Sequence, residues 1–251
     1  MKQRIREFLR KEREETKALF HSIPAISVAC FVASVVGMNL LANKSIDFPV
    51  DWLALDAGTL LSWLSFLSMD VITKHFGPKA ANKIACFALF ANLLMCLVFF
   101  LASIIPGVWG ESFVEGSETI INAALNRTFG GQWYVILGSS VAFLVSAIVN
   151  NLLSWAIGKG LKKDTRGAFF IRSYVSTAIG QFVDNFLFAT IVSVTFFGWT
   201  MKQVFVCAAT GMAVELLMEV IFSPIGYHIS RRWKKDNVGS EYIALLQKEA
   251  K

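Results

Sequence analysis

The sequence predicts an all-α integral membrane protein with six transmembrane helices and both termini in the cytoplasm. Three observations carry that reading. Of 251 residues, 55% are hydrophobic and 17% charged, and the mean hydropathy is +0.55; soluble domains average about 45–50% and about 25%. The apolar residues arrive in blocks of about 20, the length of helix that crosses a hydrocarbon core of about 30 Å. Finally, the 24 Lys and Arg are distributed unevenly among the intervening segments, and cytoplasmic loops are the ones that collect them.

Taken in order, the spans are predicted at Phe20–Ala42, Leu53–Thr73, Ile84–Ile105, Trp133–Ile157, Phe169–Phe197 and Val204–Ile229. Residues 1–19 form a charged cytosolic lead, 20–233 the six-helix domain and 234–251 a cytosolic tail. The lead carries Lys2, Arg4, Arg6, Arg10, Lys11, Arg13 and Lys17, and the loop after span 2 carries Lys74, Lys79 and Lys83. Lys159, Lys162, Lys163, Arg166 and Arg172 follow span 4, and the tail is equally basic. Only Lys44, Arg127 and Lys202 fall on the other side, so 21 of 24 cations share one face of the membrane. Basic segments there face an anionic leaflet, which removes the polyanion-binding meaning that a net charge of +6 has in a soluble chain. Direct nucleic-acid binding is therefore not expected.

The longest outside loop, Pro106 to Gln132, holds a predicted short helix with Ile120, Ile121, Ala124 and Leu125 on one face and Ser117 as its cap. It reads either as a surface helix on the bilayer or as a lid over an outward-facing cavity. Span 1 contains Ala25, Ala29, Ala33 and Gly37 at intervals of four, a ladder of small residues that permits close helix approach. Packing within the chain, a homodimer and docking of a separate membrane subunit are all compatible with it.

Enzyme chemistry finds little support. Cys30, Cys86, Cys96 and Cys207 lie in apolar segments without metal-ligand spacing, and a Cys among aliphatics behaves as a small hydrophobe. His21, His75 and His228 sit at block edges, with no HExxH pattern and no partner for a buried serine. Acids at the spacing of a metal-binding lipid enzyme are also missing. No enzyme, metal or cofactor is expected. The lead lacks the short apolar stretch of a cleavable signal.

The polar residues inside the spans carry the functional information. An acid near a helix centre costs about 2.5–3.5 kcal/mol on insertion scales unless it faces protein or water. Asp70, Asp184, Glu215 and Glu219 are predicted there. Ser173, Thr177, Gln181 and Asn185 follow steps of four, with Asp184 three beyond Gln181, so span 5 presents one polar face. Glu215 and Glu219 share a face of span 6, and Ser62, Phe66 and Asp70 one of span 2. Isolated amides such as Asn39, Asn92, Asn150 and Asn151 are explained by interhelical hydrogen bonds, worth about 0.6 kcal/mol each. Paired charges are not, and they point to a wet or ligand-filled centre. Trp63 and Phe66 can stack on a flat ligand.

Three stretches resemble a known family. The run Asn39-Leu-Leu-Ala-Asn-Lys44, the segment Asp70-Val-Ile-Thr-Lys-His-Phe-Gly77 and the stretch Arg172-Ser-x-x-Ser-Thr-x-x-x-Gln181-x-x-Asp184-Asn185 look like the queuosine-precursor transporters, also catalogued as putative vitamin uptake transporters. Glu219 with Ser223-Pro224 completes the pattern, which spans Met38 to Lys234. The resemblance implies a six-helix importer of 7-deazaguanines in the bacterial inner membrane, supplying queuine or its precursors for tRNA modification. Two positions depart: Lys74 stands where the family commonly has Glu, and Asn185 where it commonly has Ser.

One carboxylate can accept both the ring N–H and the exocyclic amine of such a ligand, and a side-chain amide can serve its carbonyl. Asp184 or Glu219 is expected to supply the carboxylate and Gln181 the amide. Asn39 and Asn185 would read the 7-substituent, with Asp70 and Arg172 as a cytoplasmic-side gate or ion pair, and Arg172, Lys74 and Glu215 in gating or coupling. Because each half has an odd number of spans, a 3+3 inverted repeat with a midplane site is allowed. The rival is a substrate-capture subunit of an ATP-driven vitamin uptake system; the chain has no GxxxxGK[ST] motif of its own.

Overall fold

The computed structural model describes residues 2–50, 52–53, 55–110, 118–160 and 166–249. Within these, the side chains at 2, 70, 118, 147, 150, 151, 154, 155, 158–160, 166–174, 219, 223 and 249 are outside the description. It is an all-α membrane protein whose only sheet among the described residues is a two-residue ribbon.

Helix α1 (Lys2–Ser22) ends at Pro24, which lacks an N–H and disfavours a helical residue before it. The chain restarts as α2 (Ala25–Leu41) at 101° to α1. The lead helix runs to Ser22, with Leu19 fully buried. Strands β1 (Ser45–Ile46) and β2 (Leu55–Asp56) pair antiparallel, Ser45 opposite Asp56. This pairing takes the first residues of the predicted second span, so α3 (Thr59–Phe76) starts later. Asp56 accepts a hydrogen bond from the Gly58 N–H at 2.8 Å, an aspartate turn that leads into the helix.

Gly77 closes α3 with φ +87°, the left-handed geometry that costs glycine nothing, and Pro78 opens α4 (Pro78–Ile104). Helix α5 (Glu118–Gly130) runs into α6 (Gln132–Gly160) with a single-residue break at Gly131. The long apolar stretch there is Thr119–Ser146, longer at its start than the predicted span. Ser117, the expected cap, lies outside the described residues.

Helix α7 (Arg166–Phe188) passes through a π turn at Ala189–Ser193 into α8 (Val194–Phe197). The wider turn leaves the Ile191 carbonyl to accept from the Tyr134 hydroxyl at 2.8 Å and the Thr195 hydroxyl at 3.0 Å. Helix α9 (Met201–Lys235) contains Pro224, and α10 (Ser240–Glu249) follows. Among the described residues, four stretches are long and apolar enough to cross a membrane: Pro78–Ile104, Thr119–Ser146, Val175–Phe197 and Met201–Phe222. The bent pair of α1 and α2 makes a fifth if counted as one. α2 alone has 17 residues, and the serines of α3 lower its hydropathy.

The chain divides into two compact units. The first comprises 1–35, 63–91 and 219–251; the second, 36–62 and 92–218. In the first, Leu19, Phe31, Ile72, Phe76, Ile84 and Tyr242 belong to one core. His75 contacts the Val238 carbonyl at 2.8 Å and Trp233 edge-on. In the second, Leu55, Ala189, Trp199, Val204 and Cys207 form one cluster, and Ala42, Val135 and Val192 another. Along α4, Phe90, Leu93, Leu94, Leu97 and Val98 are exposed. A continuous apolar surface of that kind is what lipid, not water, solvates.

Candidate functional site

The polar residues of α6, α7 and α9 meet inside the second unit. The α6 face against α7 is built from Gly138, Ala142 and Ser146, small residues at steps of four. A Cβ at Gly138 would overlap the Val192 side chain, and Ala142 is fully buried. Close approach is what small residues supply in a membrane. It brings Ser146 within reach of α7, where its hydroxyl donates to the Asp184 carboxylate at 3.0 Å. The same proton is shared with the Phe143 carbonyl at 3.0 Å, so Asp184 receives only part of a hydrogen bond.

One residue on, the Asn185 amide nitrogen donates to the Gln181 carbonyl at 3.0 Å and to the Glu215 carboxylate of α9 at 3.2 Å. Both its protons are then committed, leaving its oxygen as an acceptor. Gly211, one turn before Glu215, makes the room: a Cβ there would lie 3.0–3.1 Å from the Asn185 carboxamide. The Gln181 side-chain oxygen is buried without a hydrogen-bond partner. Among the described residues no Lys or Arg pairs with Asp184 or Glu215, and no group of three or more His, Cys, Asp or Glu could hold a metal ion. The cluster therefore has acceptors in excess. A ligand that complements it brings N–H donors or positive charge.

The sequence-predicted residues divide as follows. Gln181, Asp184, Asn185 and Glu215 are brought together; Glu215, expected in coupling, is hydrogen-bonded to Asn185 itself. Asn39 is buried on α2, also in the second unit. Trp63 and Phe66 belong to the first unit, where Trp63 stacks on Phe222 at 4.6 Å; one face of that indole is thus already covered. Lys74 is exposed at the end of α3. The side chains of Asp70, Arg172 and Glu219, and of Asn150 and Asn151, lie outside the described residues. Ser62, Ser65 and Ser68 on α3 are buried, as a polar span requires.

Ser146 and Gly211 are the residues that reading the sequence missed. The signal for Ser146 was present: Gly138, Ala142, Ser146 and Asn150 repeat at four, the same kind of ladder noted on span 1. On span 1 the ladder behaves differently. Ala25, Ala29 and Ala33 are exposed, and only Gly37 packs within the chain, where a Cβ would meet Leu61 at 2.7 Å. Gln132 was missed as well; it is buried and accepts from Asn43 at 2.7 Å, tying the end of α2 to the start of α6.

The fold and this cluster define a helical membrane protein with a buried, acceptor-rich centre. Residues 56–229, more than half of the chain, match the family described as "Putative vitamin uptake transporter", and the chain belongs to that family. No curated protein and no solved structure matches it.

Proposed function

We propose that the protein imports queuosine precursors, 7-deazaguanines such as queuine and its aminomethyl and cyano forms, across the bacterial inner membrane for tRNA modification. The observation that carries this reading is the uncompensated cluster of Asp184, Glu215, Asn185 and the partnerless Gln181 oxygen. A guanine-like edge offers a ring N–H beside an amine, the donor pair that one carboxylate accepts. Asp184 takes that edge, Gln181 accepts a further N–H, and the free Asn185 oxygen and Asn39 read the 7-substituent. Glu219, Asp70, Arg172 and Lys74 keep their expected roles in binding and gating, and Glu215 couples transport.

The topology proposed is six spans, α2, α3, α4, α6, α7–α8 and α9, with both ends cytoplasmic. In support, the lead helix, the α3–α4 turn and the C-terminal helix all fall in the first unit. These are three of the four segments that hold the excess of cations.

An acceptor-rich site favours the ligand with most positive charge, so the aminomethyl precursor is expected to bind more tightly than the nitrile, by about tenfold for a lost charged hydrogen bond. The test is uptake of labelled precursors into proteoliposomes containing this chain alone, with riboflavin and biotin as controls. Equal indifference to all 7-deazaguanines defeats the substrate assignment. Binding without uptake transfers the chain to the capture-subunit class, for which the exposed Ala25, Ala29 and Ala33 would be the docking face.

A further inference from the structure

The lead helix α1 has a face that is half used. At about 100° per residue, Ile5, Phe8, Leu9, Glu12, Glu15 and Leu19 fall on one side. The later half of that side is docked: Leu19 is buried in the first unit's core, and Glu12 and Glu15 pair with Lys79 and Lys83 at the start of α4. The earlier half is bare. Ile5, Phe8 and Leu9 are 51%, 62% and 60% exposed, three large apolar side chains together on a segment that is otherwise charged.

The charges around them are ordered. By the same helical count, Arg4 and Lys11 border the apolar strip on one flank and Arg6 and Arg13 on the other. Glu7 and Glu14 lie on the opposite side, where Glu14 pairs with Arg10 at 3.9 Å. Apolar centre, basic flanks and acidic back is the pattern of a helix lying in a membrane interface, with the long cationic side chains reaching to phosphate. Orientation supports it. α2 holds no charged residue and is read as entering the bilayer, and α1 meets α2 at 101°; a helix so bent runs along the surface.

We propose that residues 2–13 form an anionic-lipid-binding helix, seated at the headgroup boundary of the cytoplasmic leaflet with Ile5, Phe8 and Leu9 in the acyl region. This segment lies outside the stretch that matches the transporter family. The binding does not depend on which solute the protein carries; it requires only that α2 be inserted. Docking at Glu15 and Leu19 sets the position of the bare half.

Hydrogen exchange on the full-length protein in nanodiscs tests it, with phosphatidylcholine alone or mixed with phosphatidylglycerol. Amides of residues 4–11 should exchange at least about threefold more slowly in the anionic bilayer, while those of 16–22 stay constant. The triple variant Arg4→Gln, Arg6→Gln, Arg13→Gln should erase the lipid difference. The variant Ile5→Ser, Phe8→Ser, Leu9→Ser should exchange fast in both bilayers. Equal exchange of the wild type in the two lipids overturns the proposal, as does full protection in either variant. Protection that instead rises with protein concentration assigns the face to a second copy and overturns it too.

Discussion

Glu15 and Asp184 are both carboxylates withdrawn from water, yet their surroundings are opposite. Glu15, whose side chain is fully buried, contacts two ammonium groups, Lys79 and Lys83, which also bind Glu12 at 3.0 and 2.9 Å. Asp184 and its neighbour Glu215 have a hydroxyl and an amide between them, and no cation among the described residues. Compensated charge of the first kind holds two elements together. Uncompensated charge of the second kind stabilises nothing, because the desolvation cost is not offset by a partner. In a chain that folds, its presence calls for a ligand or a proton that arrives later. The comparison separates acids paired with cations, which join two elements, from acids that have no cation among the described residues.

The largest expected effect follows directly. Asp184→Asn keeps the acceptor for Ser146 but removes the charge, and uptake should fall by about 100-fold, the scale of about 3 kcal/mol for a lost charge-assisted pair. Thermal stability in detergent should stay level or rise, since an unpaired buried charge has been removed. Glu215→Gln should behave the same way, with Asn185 still bonded. Loss of fold alongside loss of uptake in both variants would show these acids to be structural and erase the distinction.

In the first unit the same kind of change should do the reverse. Lys83→Met leaves Glu15 with Lys79 alone, which is nearly half exposed, and should cost about 1–3 kcal/mol of stability with uptake per folded molecule unchanged. The pH dependence has a definite sign. Burial pushes Glu15 up, but hydrogen bonds from Lys79 and Lys83 outweigh it, so its pKa lies below the ordinary 4.5; hydrogen bonds from Lys83 and Lys79 lower Glu12 as well. A depressed carboxyl contributes stability above its unfolded pKa and loses it as pH falls through the folded one. The docking of α1 should thus be constant above about pH 5 and weaken below 4.5, read by hydrogen exchange at residues 15–22. Flat exchange down to pH 3 would remove the ion pairs from the account.

How far these two regions could be read from sequence differs for a physical reason. The polar face of span 5 follows a strict period, so Gln181, Asp184 and Asn185 were legible, as was the helical class from composition. Ser146 stands on a ladder with Gly138 and Ala142, but a small-residue ladder does not say which helix it meets, so its partner Asp184 was not legible. The lead could be read as charged and cytosolic, but Glu12 and Glu15 meet Lys79 and Lys83 across nearly 70 positions, and no local pattern reports that. A boundary moved where tertiary pairing overrode hydropathy: residues 55–56 became a strand.

The two small-residue ladders give the finest form of the comparison. By sequence they are alike, steps of four in apolar helices; by structure Gly138, Ala142 and Ser146 are enclosed, while Ala25, Ala29 and Ala33 are open. Gly138→Val must displace Val192 and should cost about 1–3 kcal/mol, with a loss of uptake because Ser146 is carried away from Asp184. Ala33 is exposed, so Ala33→Val should change stability by no more than about 0.5 kcal/mol. Paired thermal unfolding of the two variants in detergent checks this. If Ala33→Val is as costly as Gly138→Val, the span-1 ladder is covered in the detergent-solubilised protein, and a self-associated form follows. Light scattering on the same samples would then show a dimer that the substitution dissociates.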